Sequence, residues 1–169
     1  WEMTEQIPYT VFVATTKRKR DLKFGNQTFQ FVKLSKKKFF GFVKEKVNQE
    51  EFNISSKEKT IVDGLMHPEY CGGIPEVVKA MWNARKEVKW DIIFEMAKRV
   101  ELSLVLRRLG YLLNILEIEN NISEILKEKK FKGYHNLDPL VDERKIWYSK
   151  EYSLKINRTK NELLGWMNY

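Results

Sequence analysis

The chain has 169 residues and a formal net charge of +8, and 43% of its residues are hydrophobic. This hydrophobic content excludes a disordered chain, and no apolar run in the sequence is long enough to cross a bilayer. A chain of this length buries about 70% of its extended surface on folding, so we expect one compact domain over residues 1–169. Cys71 is the only cysteine, which excludes an intramolecular disulfide and a Cys-rich zinc site and favours a cytoplasmic location.

The first third of the chain predicts β-strands. Runs rich in β-branched and aromatic residues occur at residues 9–15, 22–24, 28–34, 39–43 and 52–54. The pair Gly25-Asn26 is a hairpin turn signal, and residues 44–50 form a polar turn. We therefore predict that residues 1–55 form a small, largely antiparallel sheet with its alternating aromatic side chains in the core.

Two basic clusters lie among these strands and are the candidate phosphate-binding residues. They are Lys17, Arg18, Lys19 and Arg20 in a tight turn, and Lys36, Lys37 and Lys38 before an aromatic run. Several cations in one loop can neutralise neighbouring phosphates. The alternative is a solvated loop. Basic residues beside aromatic rings can also bind single-stranded nucleic acid, with the bases stacked on the rings, although alternating aromatic residues are more typical of a sheet core.

Residues 55–84 predict two helices joined by a tight corner. Ser55 has N-cap chemistry, and Glu58 three residues later completes a capping box. Pro68 ends the first helix near His67. Gly72 and Gly73 then provide the backbone freedom that the reversal needs.

The remaining helical signals extend to residue 128. Leu and Val residues recur at three- and four-residue steps over residues 102–116, which predicts a buried helix. Gly110 lies inside this helix and predicts the close approach of a neighbouring element. Arg107 and Arg108 fall outside the apolar stripe, and we expect Arg108 to pair with a carboxylate. Residues 122–128 predict a short helix.

Residues 129–169 predict closing strands around Trp147 and residues 152–156, followed by a short terminal helix. The whole pattern predicts an α+β fold. We expect a mostly antiparallel β-sheet, built from the N-terminal third and the Trp147 region, to pack against a helical layer built from residues 56–128.

Several segments together resemble a known family. They are EKTIVDGL at 58–65, HPEYCGGI at 67–74, EVVKAMWNA at 76–84, RRLGYLL at 107–113, and the Leu-Asp pair before a Trp-containing strand that ends near Asn157. This pattern resembles the C-terminal region of AbiEi-type antitoxins, which are DNA-binding transcriptional regulators paired with a nucleotidyltransferase-like toxin. Residues 3–16 resemble the family's entry into its first strand, but Trp1-Glu2-Met3 departs from the small and Leu residues of that pattern.

The resemblance implies a regulator without catalytic residues or a cofactor. A winged helix-turn-helix domain precedes this region in the family and reads the operator, so we expect the chain to be the C-terminal portion of such a protein. The toxin is implied as a functional partner, with or without a stable complex.

Outside the basic clusters, the residues that could act in catalysis or metal binding are explained more simply by structural roles. Asp63, flanked by Glu58 and Lys59, could serve as an acid or a metal ligand, but capping and a buried salt bridge are the simpler interpretation. His67 and Cys71 lie four residues apart, but two further zinc ligands are missing. Cys71 as a nucleophile needs a positioned base, and a buried structural thiol is the simpler interpretation.

Two other function classes stay open. A metal-dependent nuclease would use Asp138, Glu143 and Lys145 to hold Mg²⁺ and steady the attacking water. A protein-interaction module would bind a partner without any role for DNA. We expect no enzyme activity, metal or cofactor.

Overall fold

The computed structural model describes residues 1–5, 9–142 and 147–168 and confirms an α+β fold. The strands are β1 (Thr10–Thr15), β2 (Leu22–Phe24), β3 (Gln27–Lys33), β4 (Phe42–Val47), β5 (Glu50–Ser55), β6 (His135–Asn136), β7 (Trp147–Ser149) and β8 (Leu154–Ile156). The α-helices are α1 (Lys57–Met66), α2 (Ile74–Asn83), α3 (Trp90–Arg99), α4 (Ser103–Ile115), α5 (Ile122–Glu128) and α6 (Lys160–Leu164). Short 3-10 turns lie at Lys36–Lys38, Pro68–Tyr70 and Gly165–Asn168.

The described strands divide among three small sheets rather than one. The N-terminal sheet has the order β1-β3-β2, β4 and β5 pair as a separate hairpin, and the C-terminal sheet has the order β6-β8-β7. Three pairings are antiparallel, but β1 pairs with β3 and β6 with β8 in parallel. The expectation that the Trp147 region joins the N-terminal strands was therefore wrong.

The β4–β5 hairpin corrects the predicted polar turn at residues 44–50. The strands continue to Val47 and restart at Glu50, so the loop is only Asn48-Gln49, and both residues have positive φ values of 49° and 72°. Two consecutive left-handed residues make the turn whose twist matches paired antiparallel strands.

The corner between α1 and α2 matches the prediction except at its cap. Ser56, not Ser55, is the N-cap, because its side chain accepts a hydrogen bond from the Lys59 N–H, whereas Ser55 ends β5. The Glu58 carboxylate accepts from the Lys89 N–H at 3.3 Å instead of completing a capping box.

Gly72 and Gly73 make the reversal as predicted. Their φ values are 84° and 95°, in the left-handed region that favours glycine. The Gly73 N–H donates to the Pro68 carbonyl at 2.8 Å, which closes the corner before α2 begins at Ile74.

The hydrophobic core lies mainly among the helices, with α4 at its centre. Nine consecutive residues of α4, from 105 to 113, are buried. They include Arg107 and Arg108, each 2% exposed, so the prediction that these side chains leave the apolar stripe was wrong. The predicted close approach at Gly110 is confirmed, because the ring of Tyr152 lies directly against it.

Candidate nucleic-acid interface

The parallel pairing of β1 and β3 brings the two basic clusters to one end of the N-terminal sheet. Thr15 and Lys33, the last residues of the two strands, are register partners, and the Leu34 N–H donates to the Thr15 carbonyl at 2.7 Å. The carboxyl ends of parallel strands lie at the same end of a sheet. We call this end of the N-terminal sheet the basic end. It comprises Lys33 and the cations of residues 17–20 and 36–38.

Most cations of the basic end are free to meet an anionic partner. Residues 17–20, Lys33 and Lys36 are exposed, and Lys38 is half-buried. Lys37 Nζ lies 2.5 Å from Oε1 of Glu101. Within the described part of the chain, Lys37 is the only one of these cations with a carboxylate partner.

The whole net charge of the chain resides in residues 9–38, the segment that contains the basic end. Of 31 Lys and Arg residues and 23 Asp and Glu residues, nine cations and one carboxylate, Asp21, lie within residues 9–38, which leaves 22 of each sign elsewhere. The sequence interpretation missed Lys23 and Lys33, although this segregation of charge along the chain was the signal that could have found them. A concentrated positive field attracts polyanions over a longer range than scattered charges do.

The aromatic residues of the N-terminal sheet are not part of the core, in contrast to the prediction. Phe29 and Phe31 of β3 are half-buried, and Phe24 of β2 is 77% exposed. None of the three is among the core residues or the half-buried side chains packed against them. By contrast, Phe40, which follows the second basic cluster, is buried between Arg99 and Lys59 and offers no free ring face.

The salt bridge predicted for Asp63 is made with Lys59, one turn away on α1, although the Asp63 side chain is only half-buried. The Lys59 ammonium is almost fully buried and also lies 5.1 Å from the Phe40 ring centroid. Burial raises the pKa of the Asp63 carboxyl, and the positive charge of Lys59 opposes that shift. The pair fixes α1 against the segment that contains Gly41, whose added Cβ would lie 3.0 Å from the Lys59 side chain.

Cys71 and His67 do not form a reactive pair. Burial raises the pKa of the Cys71 thiol to about 11, and the nearby carboxylates of Asp63 and Glu69 add to the shift. The His67 ring nitrogen Nδ1 lies 3.0 Å from Glu69 Oε1. Among the described residues, no group of three or more His, Cys, Asp or Glu side chains has the arrangement of a metal site.

Arg108 forms a structural link between α1 and the C-terminal segment. Its guanidinium donates to the carbonyls of Leu65 at 2.7 Å and Leu137 at 2.9 Å, so its direct partners are backbone oxygens and not the expected carboxylate. Burial lowers the pKa of Arg108 to about 10, and the neighbouring charge of Asp138 opposes that shift.

Asp138 is fully buried and has its own partners. Its carboxylate accepts from Arg158 Nε at 2.8 Å and from the Leu140 N–H at 3.0 Å. The Asn157 amide bonds to both the N–H and the carbonyl of Asp138. A carboxylate in this setting is not open to a metal ion, and the other two residues of the nuclease hypothesis, Glu143 and Lys145, lie outside the described residues.

Comparisons of the chain with known proteins identify no relative. No family model, curated protein or solved structure matches the chain. The helices of the described residues are all too short or too polar to span a membrane. The resemblance to the AbiEi-type region therefore remains a hypothesis that depends on the sequence segments themselves.

Proposed function

We propose that this chain is the C-terminal portion of an AbiEi-like antitoxin and transcriptional regulator that acts in the cytoplasm and contacts DNA phosphates through its basic end. The observation that supports the DNA contact is the convergence of both predicted basic clusters at one sheet end, in a segment that carries the whole net charge of the chain. By the resemblance, operator recognition belongs to a winged helix-turn-helix domain, and the toxin is a nucleotidyltransferase-like protein.

The proposed contact is electrostatic. Lys and Arg side chains that contact phosphates position a protein on the nucleic-acid backbone without reading the base sequence. Each phosphate that is neutralised releases counterions, which contributes roughly −0.9 to the slope of log affinity against log salt concentration. The basic end would therefore strengthen operator binding without determining which operator is bound.

A binding role is also supported by the state of the side chains that we considered as catalytic or metal-binding candidates. The Cys71 thiol has a raised pKa, Asp138 is engaged by Arg158, and Arg108 is engaged by two carbonyls. By contrast, most cations of the basic end are exposed and accessible to a partner.

The test is binding of this chain to duplex DNA from upstream of its own gene, measured over a range of salt concentrations. Replacing Lys17, Arg18, Lys19 and Arg20 with Ala is expected to weaken binding at least tenfold near 0.1 M salt and to reduce the slope by up to roughly 3.6. The matched control replaces Lys86, Lys129, Lys130 and Lys150, which are also exposed, with Ala and so removes the same charge elsewhere. An equal loss in both variants would mean that the basic end has no special role.

The antitoxin role needs a separate measurement. The proposal predicts a neighbouring gene for a nucleotidyltransferase-like protein and recovery of growth when the two genes are expressed together. A protein partner that stays bound at high salt and is insensitive to the four-Ala variant, in the absence of DNA binding, would instead favour the interaction-module alternative.

A further inference from the structure

One face of the N-terminal sheet carries a row of aromatic side chains, which we call the outer aromatic face. Register partners in a sheet share a face, and the pairs Val11–Phe29 and Val13–Phe31 therefore place both β3 phenylalanines on the same face. The antiparallel pairs Leu22–Phe29 and Phe24–Gln27 place β2 residues beside them. The ladder extends to Tyr9, because the Thr28 N–H donates to the Tyr9 carbonyl at 2.9 Å.

The opposite face of the sheet makes the ring contact with the helical corner. Phe12 lies on the opposite face of the sheet and stacks on Tyr70 of the helical corner, with ring centroids 4.6 Å apart. Tyr9 and Phe24, at the far end of the outer aromatic face, are 83% and 77% exposed. An exposed cluster of aromatic side chains is an unusual feature of a protein surface and is typical of a binding site.

The charges around the face select an anionic partner. Lys33 has the same register parity as Phe31, and Lys19 Nζ lies 5.3 Å from the Phe31 ring centroid, so cations border the aromatic rings directly. A second copy of the chain would bring two such segments together, each with nine cations and one carboxylate, and like charges oppose that contact. From Gln27 to Lys33 the face is roughly 20 Å long at about 3.3 Å per residue, which is enough for a few nucleotides.

We propose that the outer aromatic face binds a single strand of DNA, with unpaired bases stacked on Phe24 and Tyr9 and phosphates held by Lys19 and Lys33. Stacking requires unpaired bases, because the bases of a duplex are already covered by their neighbours. The choice of DNA depends on the proposed function. The strand would come from duplex opened at or near the bound site.

The experiment measures fluorescence anisotropy of a labelled 12-nucleotide oligo(dT), a 12-base-pair duplex and a 12-nucleotide oligo(U) with the full chain. Phe24→Ala and Tyr9→Ala are each expected to weaken oligo(dT) binding roughly 5- to 150-fold while changing duplex binding less than twofold. Both side chains are exposed, so the variants should fold, and a circular dichroism melt checks this. The matched control is Phe52→Ala, which removes an exposed ring from the β4–β5 hairpin.

Several results would overturn the inference. Unchanged oligo(dT) affinity in both aromatic variants would leave only charge-driven binding. Binding of oligo(U) at least tenfold tighter than oligo(dT) would replace DNA with RNA. If the wild-type chain is a dimer and Phe24→Ala makes it a monomer, the outer aromatic face binds a second copy of the chain instead. The proposed function is judged separately, since it depends on duplex binding and on the variant with Ala at residues 17–20, neither of which requires the aromatic rings.

Discussion

Gly110 in the middle of α4 lies so close to Tyr152 that a Cβ on Gly110 would be 2.5 Å from Cε1 of the ring. An exposed Gly→Ala change in a helix gains about 1 kcal/mol, but forcing a methyl group into a packed core loses about 1–3 kcal/mol. We therefore expect Gly110→Ala to lower the free energy of unfolding by up to about 2 kcal/mol in urea denaturation.

A double mutant identifies the contact. Tyr152→Leu removes the ring that meets the new methyl group, so Gly110→Ala should be less harmful in that background than in the wild type. Asn114→Ala, at an exposed position of the same helix, should change stability little or increase it. Additive effects of Gly110→Ala and Tyr152→Leu would show that the contact is not the cause.

The N-cap of α1 distinguishes two adjacent serines. The Ser56 side chain accepts from the Lys59 N–H at 3.1 Å, whereas Ser55 is the last residue of β5. Ser56→Ala should therefore lower stability by about 1 kcal/mol, and Ser55→Ala should remain within about 0.5 kcal/mol of wild type. Thermal and urea unfolding of both variants measures this, and the reverse order would return the cap to Ser55.

The buried carboxylate of Asp138 should be necessary for stability. Asp138→Asn keeps the shape of the side chain but removes the charge to which Arg158 Nε donates, so that, among the described residues, Arg158 keeps only Glu162, at 3.6 Å from Nη1. It also removes one of the two carboxylates, Asp138 and Glu69, whose negative charge acts on Arg108. We expect a loss of about 3 kcal/mol in urea denaturation, the scale for breaking a buried ion pair. Asp142→Asn, at an exposed position four residues later, is the matched control, and similar losses in the two variants would contradict this account.

Glu101 should weaken the contribution of the basic end to DNA binding. Its carboxylate holds Lys37, so Lys37→Ala should reduce DNA affinity less than Lys36→Ala. Glu101→Gln releases the Lys37 ammonium and should raise affinity, with a salt slope steeper by at most roughly 0.9. Salt-dependent anisotropy on the same duplex tests all three variants. A weaker affinity for Glu101→Gln would mean that the pair positions the turn instead.

The Cys71 thiol should react slowly near neutral pH and faster as the pH approaches its raised pKa. A rise in its pKa from 9.0 to about 11 reduces the thiolate fraction at pH 8 about 100-fold. We expect iodoacetamide to modify the native protein at least that much more slowly than the urea-unfolded protein. Because the folded pKa lies above the unfolded one, native stability should also fall as pH rises from about 9 to 11, and Cys71→Ala should remove that component. Fast alkylation at pH 8 would contradict the burial of the thiol.

The sequence predicted the structural elements well where neighbouring residues alone determine them. The three- and four-residue steps of leucine define α4, and Gly72 and Gly73 reverse the chain because only glycine enters the left-handed region without strain. The cap was displaced by one residue, because Ser55 and Ser56 have the same chemistry and the end of β5 decides between them.

Non-local contacts explain what the sequence did not predict about the site. The parallel partner of β1 is the second strand of the β2–β3 hairpin, and nothing within residues 10–15 specifies it. Arg107 resembled a surface residue, yet the carbonyls of Lys132, Gly133 and Ser153 surround it, and these lie 25 to 46 residues further along the chain.

By itself the sequence determined the α+β class, the helical corner and the positions of the basic clusters, because helix periodicity, backbone freedom and charge are properties of neighbouring residues. Only the tertiary structure decided that the two clusters lie at one end of the sheet and that Phe24 and Tyr9 are left exposed. Alternation along a strand determines which side chains share a face, but whether that face is covered depends on the packing of distant elements.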